Sequence, residues 1–112
     1  MQRGEVWWAD FGMPRGSAPA SNRPALIISA NRFNRSNLQT VTVVAITTNL
    51  RYADLPGNIL LPANQGKLER DSVINVSQVA TLDRKDLSKL VGKLDDHLIS
   101  EVEYGLRLAL NL

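Results

Sequence analysis

The sequence predicts one mainly β domain, a small and strongly bent sheet or barrel with one C-terminal helix. The chain has 112 residues, and domains most often run ~100–150 residues. Most of it divides into five or six short runs of β-forming residues separated by turn residues. The apolar period becomes helical only after Asp95. Short strands followed by a single helix favour this small mainly β architecture.

The first two predicted strands lie on either side of a loop. Glu5–Phe11 is rich in β-formers and includes adjacent tryptophans, Trp7 and Trp8. Adjacent strand residues point to opposite faces, so we expect at most one of the two in the core. Gly12–Asn22 is composed mostly of loop-forming residues, and Pro24–Ser29 is a short apolar run typical of a buried strand.

The middle of the chain contains the strongest strand. Thr40–Thr47 is almost entirely β-branched, which favours extended structure. The polar segment Asn31–Gln39 before it and the segment Asn49–Gly57 after it are predicted to be turn and loop. Asn58–Leu61 follows as a short strand and Pro62–Gly66 as a turn.

The last third contains further strands and the helix. Ser72–Val76 and Gln78–Leu82 predict two strands or one bent strand, and Asp83–Leu90 could hold one helical turn. Asp95 is a suitable N-cap for the helix that follows. Its predicted buried stripe consists of the apolar residues at helical spacing, namely Leu98, Ile99, Val102, Leu106, Ala109 and Leu110.

Composition excludes several classes of protein. The chain has no cysteine, which removes disulfides, thiolate zinc sites and cysteine nucleophiles. Its longest apolar runs are far below the ~18 residues of a membrane span. The N-terminal residues lack the apolar region of a signal peptide. We therefore expect a soluble cytoplasmic protein without a membrane partner.

The net charge of +2 hides an uneven distribution. Residues 11–53 contain five arginines and no acid, whereas the segments on either side are net negative. Arginine presents a planar fork of donors that suits phosphate. The excess predicts either a polyanion-binding face or simply solvated loops, and composition alone leaves both open.

Familiar catalytic motifs are missing from the sequence. His97 is the only histidine and is interpreted as a surface residue, and the pair Asp95-Asp96 is interpreted as a helix cap. We therefore expect no metal and no cofactor. Arg23 and Thr47 remain, because each lies where a predicted strand meets a loop. A guanidinium beside a hydroxyl could clamp a phosphate, although any strand can end in threonine.

The order of these motifs resembles the MazF/PemK toxins of bacterial toxin–antitoxin modules. The likeness covers nearly the whole chain. The matching stretches are RGEVWWADFG, NRPALIIS, TVVAITTNLRYADLP, ERDSVINVSQVATLD and KLVGKLDDHLISEVEYGLRLALNL. Each stretch is weak alone, but five in this order are specific.

The resemblance implies a compact SH3-like antiparallel barrel and a metal-independent, sequence-specific endoribonuclease acting on single-stranded RNA. It also implies a homodimer and a cognate antitoxin with an extended acidic tail. The family's catalytic arginine and threonine match Arg23 and Thr47. The RNA-binding candidates are Asn22, Thr48, Arg51, Leu55, Pro56 and Gln78.

The chemistry implied is attack of the RNA 2′-hydroxyl on the adjacent phosphorus, leaving a 2′,3′-cyclic phosphate and a 5′-hydroxyl. The substrate then supplies the nucleophile, which fits a chain without cysteine. One departure is Ala18, where many relatives have an acid. Two alternatives remain: a non-cleaving RNA-binding module, and a gyrase-poisoning toxin of the same fold.

Overall fold

The computed structural model describes residues 1–14, 16–17 and 21–112, and six strands within them form one antiparallel sheet. The strands are β1 (Glu5–Asp10), β2 (Asn22–Ile27), β3 (Thr40–Thr47), β4 (Ile59–Leu61), β5 (Ser72–Asp83) and β6 (Leu87–Lys93). The α-helices are α1 (Asn31–Asn34), α2 (Ala63–Gly66) and α3 (Asp96–Leu110). Short 3-10 helices span Leu50–Asp54 and Arg84–Asp86.

The strand order is β4-β5-β3-β2-β1-β6, and each neighbouring pair is antiparallel. The sheet curls so that α2, which follows one edge strand, reaches β6 at the other edge. The result is a half-barrel with an open seam beside β6. The predicted mainly β fold with a C-terminal helix is confirmed.

The two faces of the sheet carry separate apolar clusters. The larger cluster packs under α3 and includes Val6, Leu26 and Ile46. The smaller cluster includes Ala9, Ala25 and Ile27 on the opposite face. Because side chains alternate along a strand, these clusters identify the face to which each residue of β1, β2 and β3 points.

Helix α3 begins at the expected cap. The Asp95 carboxylate accepts a hydrogen bond from the Leu98 backbone N–H at 2.9 Å. Leu98 and Val102 are buried against the larger cluster, as predicted. Ala109 and Leu110 are exposed instead, because they lie beyond Leu106, the last residue of α3 that packs on the larger cluster. The predicted stripe is therefore too long at its C-terminal end.

The strand β5 is continuous, which settles the choice between two strands and one. Its pairing with β3 shifts between Val44, which lies opposite Val79, and Ala45, which lies opposite Asn75. Three residues of β5, Val76–Gln78, are thus left unpaired in a bulge larger than the usual one-residue kind. The predicted helical turn at Asp83–Leu90 is confirmed only at its start, since β6 begins at Leu87 and pairs with β1.

The loop after the 3-10 helix Leu50–Asp54 packs against α3 through two glycines. A Cβ atom built on Gly105 would overlap the Gly57 carbonyl oxygen. Gly57 itself has φ +82°, a backbone conformation that side chains disfavour. The two backbones approach so closely that neither position accommodates a larger residue without movement.

Candidate active site and nucleic-acid interface

Arg23 and Thr47 lie on the same face of neighbouring strands. β2 pairs with β3 through Ala25 opposite Ala45, and continuing that register by two residues places Arg23 opposite Thr47. Directly opposed residues in antiparallel strands have Cβ atoms roughly 4.5–5.5 Å apart. Both residues are partly buried. The sheet therefore brings together the two predicted catalytic residues.

The Thr47 hydroxyl is oriented by the loop that follows. Thr47 Oγ1 accepts a hydrogen bond from the Asn49 backbone N–H at 3.1 Å. The Asn49 side chain in turn accepts from the Arg51 backbone N–H at 3.2 Å and caps the 3-10 helix. Accepting from Asn49 uses one lone pair of the Thr47 hydroxyl, whose own hydrogen can still be donated.

Gln78 reaches the same face from the bulge of β5. Ala80 and Leu82, two and four residues further along, pack on the smaller cluster, and alternation places Gln78 on their side. Its Nε2 donates to the Ser17 carbonyl oxygen at 3.1 Å. Ser17, in the segment before Arg23, is thus bonded to β5, which β3 separates from β2.

A buried polar network supports the bulge. The Asn75 side chain is 1% exposed, and its Oδ1 accepts from Asn58 Nδ2 at 3.2 Å and from the Ser77 hydroxyl at 2.8 Å. Asn58 Oδ1 accepts from the Val76 backbone N–H at 2.9 Å. These bonds satisfy polar groups that the interrupted strand pairing leaves without partners.

The remaining RNA-binding candidates lie around this end of the sheet but not all on one face. Asn22 is exposed and pairs with Asp10 on β1. Thr48 is exposed and follows Thr47, so it points to the opposite face. Leu55 and Pro56 are exposed in the loop. A hollow of about 300 Å³ is lined by Asn49, Arg51, Tyr52 and Leu55.

The arginine-rich segment is divided between the two ends of the sheet. Arg23 and Arg51 lie near Thr47, at the end of β3. Arg32 and Arg35 lie at α1, which precedes the start of β3, and both are exposed there. Only part of the charge excess therefore faces the candidate site, a division that composition could not reveal. Arg15 and Ala18 lie outside the described residues.

His97 is exposed, as expected for a surface residue. Among the residues that the structure describes, no three of His, Asp or Glu come together as a potential metal site. Within the same residues, no helix is both long and apolar enough to cross a membrane.

Sequence reasoning missed the residues that support the site. Asn58 and Asn75 are 17 residues apart in sequence and meet only through the pairing of β4 with β5. The one local signal was an asparagine inside the β-forming run of β5, a residue type depleted in strands.

Comparison with known proteins shows the family to which the chain belongs. Residues 2–110 match the family model described as PemK-like, MazF-like toxin of type II toxin-antitoxin system. The chain therefore belongs to the PemK/MazF toxin family, which confirms the resemblance seen in the sequence.

Named relatives match the chain over its full length. This chain is 46% identical over 112 residues to endoribonuclease MazF6 of Mycobacterium tuberculosis, and the match covers 100% of this chain and 98% of that protein. It is 35% identical over 112 residues to endoribonuclease EndoA of Bacillus subtilis, covering 100% of this chain and 96% of that one.

Solved structures share the fold. MazF of Deinococcus radiodurans superposes with a TM-score of 0.83 at 21% identity, covering 100% of this chain and 97% of that chain. A mycobacterial endoribonuclease in complex with its cognate antitoxin gives a TM-score of 0.81 at 24% identity, covering 100% and 96%.

Proposed function

We propose that this protein is the toxin of a type II toxin–antitoxin module and an endoribonuclease that cleaves single-stranded RNA at short sequence motifs. The observation that supports the proposal is the pairing of β2 with β3, in which Ala25 lies opposite Ala45; Arg23 and Thr47 follow two residues beyond that pair, on the same face. The relatives named as endoribonucleases, at 46% and 35% identity over the whole chain, support it.

The proposed reaction is in-line attack of the 2′-oxygen on the adjacent phosphorus. The bond between phosphorus and O2′ forms while the bond between phosphorus and O5′ breaks. The 2′-hydroxyl loses its proton and the departing O5′ gains one. The products are a 2′,3′-cyclic phosphate and a 5′-hydroxyl end. No cofactor takes part, and we propose that no metal ion is required.

Arg23 has an electrostatic role in this scheme. A guanidinium remains protonated in proteins and cannot act as a general base. It binds the non-bridging phosphate oxygens and stabilises the charge that grows on them in the transition state. The Thr47 hydroxyl, held by Asn49, donates a second hydrogen bond to the same group.

RNA recognition is assigned to the side chains around this pair. Single-stranded RNA is recognised through the edges of unstacked bases and through stacking. We propose that Gln78 contacts a base edge, with Asn22 and Thr48 at the strand ends. Arg51 binds the backbone, and Leu55 and Pro56 form the apolar side of the RNA path.

The proposed partners follow from the family and its named relatives. A mycobacterial endoribonuclease of this fold is titled as a complex with its cognate antitoxin, which supports an antitoxin partner here. We also propose a homodimer, for which the exposed apolar residues Tyr104 and Leu108 on α3 offer a surface. The proposed location is the cytoplasm, where RNA is found.

The test uses purified protein and a long single-stranded RNA in the presence of EDTA, with the 5′ ends of the fragments mapped. We expect cuts at a recurring short motif, with cyclic phosphates at the 3′ ends of the fragments. Arg23→Ala removes these cuts, whereas Arg32→Ala, which changes an exposed arginine at α1, retains them.

Three results would contradict the proposal. A 3′-hydroxyl at the cut end excludes the cyclisation chemistry. Intact RNA that is nevertheless shifted in a gel supports the non-cleaving RNA-binding module. Intact RNA together with inhibition of DNA gyrase supports the gyrase-poisoning toxin.

A further inference from the structure

A second groove lies on the face of the sheet opposite Arg23 and Thr47. It occupies the seam beside β6 and has a volume of about 530 Å³. Three cations line it, Lys67, Arg70 and Lys89, with one acid, Glu69, among the described lining residues. All three cations are exposed. The balance of charge makes this groove attractive to a polyanion.

The floor of the groove is a row of residues on three neighbouring strands. Trp8 on β1 lies opposite Lys89 on β6 and opposite Pro24 on β2. The Trp8 side chain is 38% exposed, so part of its ring is open to the groove. An exposed aromatic beside cations is the arrangement that binds single-stranded nucleic acid by stacking bases while the backbone is neutralised.

The Lys67 backbone adopts a conformation that favours glycine. Its φ is +57°, in the left-handed region, which costs a side chain of this kind free energy. Its aliphatic stem lies against β6, since a Cβ atom built on Gly92 would be 2.9 Å from Lys67 Cδ. Lys67 is the C-cap of α2, a position that is commonly left-handed, and its stem against β6 places its ammonium group at the rim of the groove.

The groove begins where the proposed active site ends. Pro24 and Thr48 line it, and each is the chain neighbour of a proposed catalytic residue, Arg23 and Thr47 respectively. Alternation along the strand turns these neighbours to the other face. A strand of RNA that passes around the ends of β2 and β3 therefore moves directly from one site into the other.

Resting on the proposed endoribonuclease function, we propose that this groove is a second RNA subsite, which binds nucleotides flanking the cleaved bond. Lys67, Arg70 and Lys89 neutralise phosphates, and a base stacks on Trp8. The subsite contributes to affinity for long RNA and leaves the chemical step unaffected. Single-stranded RNA fits better than an acidic peptide, because Trp8 offers a ring face for a base, in a row that ends at Pro24, the chain neighbour of Arg23.

The first experiment compares two triple variants of equal charge. One neutralises the groove with Lys67→Gln, Arg70→Gln and Lys89→Gln. The control neutralises three exposed cations at the opposite end of β3, Arg32→Gln, Arg35→Gln and Lys85→Gln. Each variant is assayed over a range of salt concentrations on a long RNA and on the shortest oligonucleotide that is cleaved.

We expect the groove variant to raise KM for the long RNA roughly tenfold at moderate salt while kcat is unchanged. The slope of log KM against log salt should fall by about 2, because each phosphate contact with a single strand contributes about 0.7. Cleavage of the shortest oligonucleotide should not change. A groove variant that behaves as the control does on the long RNA overturns the proposal.

A second measurement is independent of cleavage. The chain contains two tryptophans, so Trp7→Phe leaves Trp8 as the single reporter. Binding of poly(U) is expected to quench the fluorescence of Trp8. The groove variant, with Lys67→Gln, Arg70→Gln and Lys89→Gln, should bind poly(U) more weakly. Unquenched fluorescence at saturating poly(U) overturns the assigned stacking. This assay still tests the groove if the protein cleaves no RNA, so the two proposals fail separately.

Lys67→Gly distinguishes a binding role from a structural one. Glycine adopts the observed φ without strain, so the urea midpoint should stay the same or rise while KM for long RNA increases. An unchanged KM with an altered midpoint would show a purely structural lysine.

Polyglutamate tests the alternative occupant of the groove, an acidic protein. If the groove variant loses binding to polyglutamate but retains binding to poly(U), the groove is assigned to an acidic protein and the RNA subsite is overturned.

Discussion

Gln78 donates a hydrogen bond to the carbonyl oxygen of Ser17 at 3.1 Å, although the two residues are 61 positions apart in sequence. The bond joins the bulge of β5 to the loop between β1 and β2. That loop leads directly into Arg23 at the start of β2. The bond thus links a residue six positions before the proposed catalytic arginine to a strand with which β2 does not pair.

Gln78→Ala is expected to release this loop with little loss of global stability. A net contribution of about 1 kcal/mol is typical of such a bond, so the urea midpoint should change little. Amide exchange at Gly16, Ser17 and Ser21 should become faster, and RNA cleavage should slow. The control is Gln39→Ala, which removes another side-chain bond to a backbone carbonyl, in this case that of Asn37. Equal rates of amide exchange and of RNA cleavage in Gln78→Ala and Gln39→Ala would contradict the role given to Gln78.

Thr47→Val and Thr47→Ser separate the hydroxyl from the shape of the side chain. Loss of a donor to the transition state typically lowers kcat by roughly 10²–10³, and we expect a loss of this size for Thr47→Val. Thr47→Ser keeps the hydroxyl and should retain most activity. Thr40→Val, at the exposed start of β3, is the matched control. Single-turnover cleavage measures the rate of the chemical step directly. A Thr47→Val variant with the wild-type rate would show that Thr47 takes no part in the mechanism.

Asn75→Leu is expected to destabilise the fold. The substitution leaves the Asn58 amide and the Ser77 hydroxyl without their buried acceptor, at a cost of about 1–3 kcal/mol for such a group. Urea unfolding measures the change. Asn64→Leu, at an exposed position in α2, controls for the change of residue type, and equal midpoints would show that the network contributes nothing.

Gly105→Ala tests the contact between α3 and the loop. Alanine normally stabilises a helix relative to glycine by about 1 kcal/mol. Here the added Cβ would overlap the Gly57 carbonyl oxygen, so we expect destabilisation of about 1–3 kcal/mol instead. Ser100→Ala, exposed on the same helix, should be nearly neutral. A lower unfolding free energy in Gly105→Ala supports the close contact with Gly57, and a higher one contradicts it.

The sequence predicted those elements whose signals are local. The β-branched residues of Thr40–Thr47 predicted β3 with its observed bounds, and Asp95 predicted the N-cap of α3. The expectation that at most one of the adjacent tryptophans is in the core is also confirmed. Trp7 is partly buried against the smaller cluster, whereas Trp8 is 38% exposed.

The features that sequence reasoning could not supply depend on pairing across the sheet. The bulge at Val76–Gln78 exists because the pairing of β3 with β5 changes register. The sequence of either strand alone does not indicate that change. The placement of Thr48 in the seam with Lys67 and Lys89 likewise depends on the curl of the sheet. The candidate residues could be named from the sequence, but the face to which each points could not.

Because the side chains of Thr47 and Thr48 point to opposite faces of the sheet, the candidate site is sensitive to insertions and deletions within β3. One residue added within β3 would reverse every later side chain of that strand. Thr47 would then face the seam and Thr48 would face Arg23. The segment between α1 and β3 could absorb a change of length without this exchange, because it lies before the paired residues. The length of β3 between Ala45 and Thr47 is therefore expected to be invariant among functional descendants of this chain.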